Sequence, residues 1–448
     1  MTDTISMNTE SEENAALNTS FQDHLDLLDS APFWWKDMKR KAFESYCTLP
    51  APARNHENWR FAKIKGLQPE SIDFSAIPSI SDAQSLVNRS NLVSKRSAQF
   101  VFADNQTIQT EKLSPELEAK GVIFATFKQA LAKEPEILRG FFMKQGIDLG
   151  SEKFAALHTA FVENGVILYV PKGVEIEDPF VVYNWAASSK IPTLPHTLVI
   201  AEEFAKVSVI EAQFSADEET ANYSVGVNHI FAGVGSKVSH TLLQDYNEES
   251  IGFQINSNEA AKDSLVKTLT VNVGCRRYRT ETHGQIMGAG AHVEMLSLVA
   301  ADADQEIDQR TLQSHNAPHT TSELLFKNTL ADKAKTIFSG LIKVSEDAQL
   351  TDAYQTNRNL LLSNTAEANS LPGLEILAND VKCSHGATTS QIDPEEIFYM
   401  NARGIDKAHA HELIVYGFFE EIIERIDCEE LADNVRQLIQ TKFKKKLS

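Results

Sequence analysis

The chain has 448 residues, 42% of them hydrophobic, which is enough for a large core divided into two or three structural regions. Its 62 acidic and 42 basic side chains give a net charge of −20, which argues against non-specific binding to nucleic acid or to an anionic membrane surface. Four cysteines, at positions 47, 275, 383 and 428, are too few and too scattered for a disulfide framework or a four-cysteine cluster motif. This usage fits a reducing compartment.

The start of the chain is acidic. The first basic residue is Lys36, and seven acidic residues precede it, so neither a secretory signal nor a basic transit peptide is indicated. No run approaches the roughly 18 apolar residues of a membrane span. We therefore expect a cytoplasmic protein with no contact with a membrane.

The N-terminal third is predicted to be mostly helical. Residues 1–20 are rich in Ser, Thr, Asn and Glu and are predicted to form a disordered tail, followed by a helical region with a linker over 21–165. The linker is expected at 66–98, and further helical stretches at about 125–145 and 150–163. A short helical unit ending near 49–52 is indicated by apolar residues at helical spacing: Leu25, Leu28, Trp34, Trp35, Met38, Ala42 and Tyr46.

Residues 166–390 are predicted to form a β-rich core. Short runs of alternating apolar residues, such as 166–170, 207–210, 266–271 and 342–344, are separated by Gly, Asn, Asp and Ser, which is typical of strands and turns. No helical pattern of 10 to 15 residues lies between them, so a parallel sheet of the α/β type is not expected.

A loose recurrence runs through this core. A small residue, a polar residue and a β-former begin at Ala205, Ser236, Ala291 and Ala334, with a weaker member at Asp263, giving steps of 31, 27, 28 and 43 residues. Roughly 30 residues would hold about three short strands and their turns, which is one coil of a β-solenoid. A large antiparallel sandwich is the alternative, because its hairpins could produce a similar pattern.

Residues 391–448 are predicted to form a C-terminal helical domain. Asp393 followed by Pro394 is typical of a helix start, and Gly404 of a helix end. Asp406 then caps a longer helix, and a last helix spans about 429–446. The longer helix carries a wide apolar stripe made of Ala408, Val415, Phe418, Phe419, Ile422, Ile423 and Ile426.

Cys383 and His385 are the candidate metal ligands. In an extended segment, side chains two residues apart lie on the same face, so the thiol and the imidazole would point the same way. We expect Lys382 and His385 to favour the thiolate. A tetrahedral site needs four ligands, so the pair would be half of a shared site. The alternative is a packed thiol beside a structural histidine.

Other histidines give weaker signals. His315 and His319 could hint at zinc, yet no third local ligand accompanies them. His409 and His411 lie about 200° apart around a helix and cannot share a metal through it. The Gly-x-Gly fragments at 233–235 and 288–290 lack the dinucleotide fingerprint and are interpreted as solenoid turns. No P-loop is present, so we expect no nucleotide hydrolysis by this chain.

The chain resembles the SufB/SufD family of iron–sulfur cluster assembly proteins from about residue 30 to its end. The resemblance is carried by HNAPHTTS (315–322), TDAYQTNRNLLLS (351–363), KCSHGAT (382–388), FYMNARGI (398–405) and GFF (417–419). KCSHGAT is similar to the SufD branch, because SufB paralogues typically carry a His-Glu-Ala stretch there. NWRF (58–61) is similar to the family's N-terminal tryptophan motif, with Phe61 where Tyr is usual.

The resemblance implies a right-handed parallel β-helix flanked by N-terminal and C-terminal helical domains. It implies a non-catalytic scaffold of the SUF complex that pairs with SufB through the β-helices and binds the SufC ATPase through its C-terminal helices. His385 would contribute to a transient iron–sulfur cluster at the SufB–SufD interface, with Cys383 beside it. A flavin in the complex is left open. The alternatives are a secreted-type β-helix carbohydrate-active enzyme and a stand-alone SufD-like homodimer.

Overall fold

The computed structural model describes residues 17–447 apart from 29, 68–71, 75, 77–79, 81 and 147, and it does not describe the side chains of 408 and 444–447. Most of the predicted disordered tail, 1–16, lies outside the described residues. Residues 17–20 differ from that prediction, because they open a helix, α1 (17–27), in which Phe21 is buried. Burial of Phe21 against Phe43 of the next helix explains why this segment is ordered.

Strands dominate the centre of the molecule. They are β1 (Ala98–Ala103), β2 (Gln106–Glu111), β3 (Ile123–Thr126), β4 (Val166–Val170), β5 (Phe180–Ala186), β6 (His196–Ala201), β7 (Lys206–Ser215), β8 (Tyr223–Ala232), β9 (Lys237–Asp245), β10 (Ile251–Ala260), β11 (Leu265–Asn272), β12 (Arg277–Ile286), β13 (His292–Ala301), β14 (Glu306–His315), β15 (Thr321–Leu330), β16 (Lys335–Val344), β17 (Thr351–Leu361), β18 (Glu367–Ile376) and β19 (Val381–Gln391).

These strands form two sheets that together make a β-solenoid of about eight turns. Sheet 1 has the order β19-β17-β15-β13-β11-β9-β7-β5-β1-β2, and sheet 2 has the order β18-β16-β14-β12-β10-β8-β6-β4-β3. From β4 onward, consecutive strands alternate between the sheets, and each pairs in parallel with the strand two places along the chain. The predicted solenoid is therefore confirmed and the sandwich alternative is wrong. The prediction of about three short strands per coil is wrong, because each coil has two longer strands.

The strand registers explain the sequence recurrence. Lys206 pairs with Lys237, Lys237 with Leu265, and Leu265 with His292, so these residues occupy one position in successive coils of sheet 1. His292 pairs with Thr321, which continues the series. The predicted member at Ala334 precedes β16, which lies in sheet 2, and this accounts for the irregular last step.

One corner of the solenoid repeats a strained backbone conformation. A residue one or two places before each of six sheet 1 strands has a positive φ; these residues are Phe204, Gly235, Asp263, Gly290, His319 and Leu350. Their backbone N–H groups donate to the next coil, as from Phe204 to the carbonyl of Val234 at 2.8 Å. Glycine adopts this conformation without steric cost, which accounts for Gly235 and Gly290.

The N-terminal helices pack around the first coils. They are α1, α2 (Phe33–Thr48), α3 (Ala83–Arg89), α4 (Pro115–Ala119), α5 (Phe127–Lys133), α6 (Pro135–Phe141) and α7 (Glu152–Phe161), with a 3-10 turn at Glu57–Trp59. The helical stretches predicted near 125–145 and 150–163 are confirmed. The linker predicted at 66–98 contains α3, whose N-cap Asp82 accepts from the Ser85 N–H at 3.0 Å.

The C-terminal helices are α8 (Pro394–Ala402), α9 (Lys407–Ile423) and α10 (Glu429–Leu447). Both predicted caps are confirmed: Asp393 accepts from the Glu395 N–H at 2.8 Å, and Asp406 from the His409 N–H at 3.0 Å. Gly404 has φ of 87° after the end of α8. The apolar stripe of α9 lies on the outer face of sheet 1, where Val415 and Phe419 are buried. The side chain of Ala408, also placed in that stripe, lies outside the described residues.

None of the described helices is both long enough and apolar enough to span a lipid bilayer.

Candidate functional site

The C-terminal end of the solenoid is open. β19 ends sheet 1 and β18 ends sheet 2, so each pairs on one side only and presents an unpaired backbone edge. Strands in the middle of the solenoid are almost wholly buried, whereas β18 and β19 are largely exposed. Apolar side chains at this end are exposed as well; they are Leu371, Leu374, Ile376 and Leu377. We call this end, formed by β18 and β19, the mouth.

Cys383 and His385 both lie on β19 and face the interior of the mouth. Cys383 is in register with Ala353, and His385 with Gln355, on the neighbouring strand β17. Ala353 is fully buried in the small core cluster against which Cys383 packs, and this fixes the inward direction of that column of side chains. The prediction that the two side chains share a face is confirmed. Cys383 is half-buried and His385 is exposed.

The electrostatics of the thiol differ from the prediction. Burial, and then the nearby Asp352 carboxylate, raise the pKa of Cys383 above its ordinary value, although the Ala353 backbone N–H partly offsets this. Lys382 and His385 do not lower it. The expected thiolate was therefore wrong, and the free chain holds a protonated thiol at neutral pH.

A row of buried polar side chains lies on β17, the strand next to β19 in sheet 1. Gln355, Asn357 and Asn359 alternate along β17 and are buried in the interior. Asn357 Oδ1 accepts from Ser370 Oγ at 2.7 Å and from Asn359 Nδ2 at 2.9 Å. We did not select these residues from the sequence, although polar amides at every second position of a strand are a visible signal for a polar inward face.

The described part of this chain holds no group of three or more His, Cys, Asp or Glu side chains able to bind a metal ion. Cys383 and His385 therefore have no third candidate ligand beside them among the described residues, and the shared site remains a prediction. A second surface at the mouth would have to supply the remaining ligands.

His315, also singled out from the sequence, is a structural residue. His315 is buried, and its two ring nitrogens lie 2.7 Å from Thr320 Oγ1 and 2.8 Å from Ser322 Oγ. His319 sits at the solenoid corner. Because both nitrogens of His315 are already bonded, a zinc site there is not supported.

The NWRF segment fastens the N-terminal region to sheet 2. The guanidinium of Arg279 lies 3.8 Å from the ring centroid of Trp59, and Trp59 Nε1 donates to the Gly150 carbonyl at 3.0 Å. Arg279 also binds the buried carboxylates of Glu281 and Asp308, at 2.7 and 2.5 Å. These acidic groups are buried under the N-terminal region, so they do not form the open carboxylate cleft that a carbohydrate-active enzyme needs.

A second exposed surface lies on α8. Ile397 is the buried residue of this helix, whereas Phe398 is 74% exposed and Tyr399 59% exposed. From the sequence, we placed Phe418 and Phe419 in the apolar stripe of α9. Phe419 is fully buried and Phe418 is partly buried, because the stripe packs on sheet 1.

The fold and the mouth define a class: a β-solenoid with helical ends, whose last coil is open and carries a cysteine and a histidine as candidate ligands. The profile described as "SUF system FeS cluster assembly, SufBD core domain" matches residues 184–418, and "SufBD protein N-terminal region" matches 11–182. The chain belongs to the SufBD family of iron–sulfur cluster assembly proteins.

Curated relatives agree with this assignment. The chain is 30% identical over 395 residues to the iron–sulfur cluster assembly protein SufD of Escherichia coli K12, covering 86% of this chain and 87% of the relative. It is 26% identical over 419 residues to SufD of Bacillus subtilis, covering 92% and 95%. It is 24% identical over 432 residues to the chloroplastic protein ABCI7 of Arabidopsis thaliana, covering 95% and 89%. The resemblance found in the sequence is thus confirmed.

Proposed function

We propose that this chain is a non-catalytic scaffold subunit that pairs with a SufB-like paralogue and helps to hold a nascent iron–sulfur cluster as cargo. The observation that carries the proposal is the position of Cys383 and His385, which face into an open mouth bordered by two unpaired strand edges. An incomplete ligand pair beside an incomplete sheet is what a shared site at a subunit interface requires.

The partner would add strands to the mouth. β18 and β19 offer unpaired backbone groups for strand addition, and the exposed Leu371, Leu374 and Ile376 offer apolar surface to bury. Pro372 in β18 lacks an N–H donor, as is usual in an edge strand. A second copy of this chain could occupy the same edges, so the mass of the purified protein with and without a SufB-like partner separates the homodimer from the hetero-complex.

The two candidate ligands would differ in whether they release a proton when they bind iron. A neutral imidazole at His385 binds iron directly through one ring nitrogen. Cys383 is protonated in the free chain, so it would release its proton on binding iron, and its binding would weaken as the pH falls. Ligands shared between two subunits fit cargo that must later be handed on.

A SufC-like ATPase would bind the C-terminal helices at α8. The stripe of α9 is occupied by packing on sheet 1, whereas Phe398 and Tyr399 remain exposed. Replacing both with Ala would reduce capture of the ATPase subunit without loss of folding. Full capture of the ATPase by the double variant would show that α8 is not part of the docking site.

The cargo proposal is tested by reconstituting the complex with His385→Ala, with Cys383→Ala and with His409→Ala, then measuring bound iron and sulfide per complex. His409 is an exposed histidine on α9 and serves as the matched control. We expect reduced iron and sulfide with His385→Ala and unchanged content with the control. Unchanged content in the His385 variant, with the complex assembled, would refute its role as a ligand.

A further inference from the structure

The side chain directly beneath His385 is a buried glutamine with an open acceptor. Gln355 is 1% exposed, and its amide reaches across the interior to sheet 2, where Nε2 lies 3.4 Å from the Gly340 carbonyl oxygen. Gly340 makes room for it, because a Cβ at that position would lie 2.5 Å from Gln355 Oε1. Oε1 has no hydrogen-bond partner among the described residues. A buried acceptor without a partner is costly unless a further group supplies a hydrogen.

A closed coil contains a buried glutamine amide whose hydrogen bonds are complete. Gln254 lies beside Gly226, its register partner on the neighbouring strand β8, whereas Gln355 faces Gly340 on the opposite sheet. Gln254 Oε1 accepts from Gln213 Nε2 at 2.8 Å, and Gln254 Nε2 donates to Asn256 Oδ1 at 2.9 Å. Both halves of the Gln254 amide are therefore bonded. At the mouth, Gln355 Oε1 has no partner among the described residues, and the residue in register with Gln355 on the neighbouring strand is His385.

We propose that Gln355 is a positioning residue for His385: its Oε1 accepts a hydrogen bond from the His385 Nδ1–H and leaves Nε2 unprotonated and free. Nδ1 adjoins the ring carbon that carries Cβ, so it stays close to the sheet and to β17, while Nε2 lies at the far end of the ring. Neighbouring parallel strands are about 4.8 Å apart, which places the amide within reach of the ring.

The consequence concerns the cargo site and rests on the proposed function. A histidine binds a metal through the ring nitrogen that carries no hydrogen. A hydrogen bond donated by the other ring nitrogen fixes the tautomer and so determines which nitrogen is free to bind. Gln355 would therefore select the tautomer whose free nitrogen faces the open mouth. Loss of such a supporting acceptor typically lowers metal affinity by roughly 10- to 100-fold.

The tautomer is measured in the isolated full-length chain, without iron. Protein labelled with 15N-histidine is examined by long-range 1H–15N correlation at about pH 8.5, two units above the ordinary histidine pKa, and His385 is assigned from the signals missing in His385→Ala. The variants are Gln355→Leu, which removes the acceptor and fills the space, and Gln355→Glu, which keeps an acceptor. Gln309→Leu is the matched control, because Gln309 is also buried with an unpartnered Oε1, on β14.

We expect mainly Nδ1–H in the wild type, in Gln355→Glu and in the control, and a two- to tenfold fall in the ratio of Nδ1–H to Nε2–H in Gln355→Leu, as for one net hydrogen bond. A wild-type His385 that is mainly Nε2–H, or an unchanged ratio in Gln355→Leu, overturns the inference. Iron content of the reconstituted complex is a separate readout. If the tautomer responds but His385→Ala leaves iron unchanged, the proposed function fails while the positioning by Gln355 stands.

Discussion

Phe419 is predicted to hold the C-terminal helices on the solenoid, and Phe419→Ala tests that role. The ring is fully buried between α9 and the outer face of sheet 1. A buried aromatic ring removes roughly 150 to 250 Å² from water, which at about 25 cal/mol per Å² is worth roughly 4 to 6 kcal/mol. Because alanine keeps part of that area and the site can relax, we expect a loss of about 3 to 5 kcal/mol in the free energy of unfolding.

The assay is urea unfolding of the purified chain, followed by circular dichroism and by proteolysis at the C-terminus. Phe398→Ala is the matched control: this ring is 74% exposed, so we expect a change within about 0.5 kcal/mol. The two variants should also separate in ATPase capture, which the Phe398 variant weakens. A loss below about 1 kcal/mol for Phe419→Ala would show that α9 does not depend on this contact.

Three further perturbations concern titratable groups that are buried or partly buried. Arg279→Met leaves two buried carboxylates without their cation, so we expect about 3 to 5 kcal/mol of destabilisation and faster proteolysis near residue 60; unchanged proteolysis would contradict the role of this contact. Burial lowers the pKa of His229 to about 4, so the unfolded chain takes up a proton below about pH 6.5 and the folded chain does not. The free energy of unfolding should therefore fall from pH 6.5 towards pH 4. His229→Leu should reduce the slope of that free energy against pH by about 1.4 kcal/mol per pH unit, measured by urea titration. An equal slope in the variant and the wild type would refute this. Asp352→Asn should lower the pKa of Cys383 and speed its alkylation at neutral pH, measured by mass spectrometry, whereas an unchanged rate would leave burial as the whole cause.

The solenoid could be predicted because its corner position repeats in sequence. Ala205, Ser236 and Ala291 each precede a sheet 1 strand, and the strand registers place them one coil or more apart. The number of strands per coil could not be predicted, because polar residues interrupt the apolar alternation. In β7, Glu211 and Gln213 face inward and bond to each other at 3.0 Å, so the strand continues past the point where the pattern suggested an end.

The candidate site was predicted only in part. Cys383 and His385 are two residues apart on a strand, so their shared direction follows from local geometry. The raised pKa of Cys383 and the buried amide of Gln355 depend on β17, which lies about 30 residues earlier in the chain. Similarly, the burial of Phe419 depends on sheet 1. Contacts between segments distant in sequence decided each of these points.

The open mouth also sets the local stability of the strand that carries the candidate ligands. Each coil of a solenoid contacts only its neighbours, so the energy needed to open a strand depends on how many neighbours it has. β19 has one neighbouring strand, β17, whereas β17 has two. Amide hydrogen exchange is therefore expected to be fastest at this end in the free chain and to slow when a partner strand is added. The strand β19 would then become fully ordered only when the partner subunit binds, so its ordering and the assembly of the complex would be thermodynamically coupled.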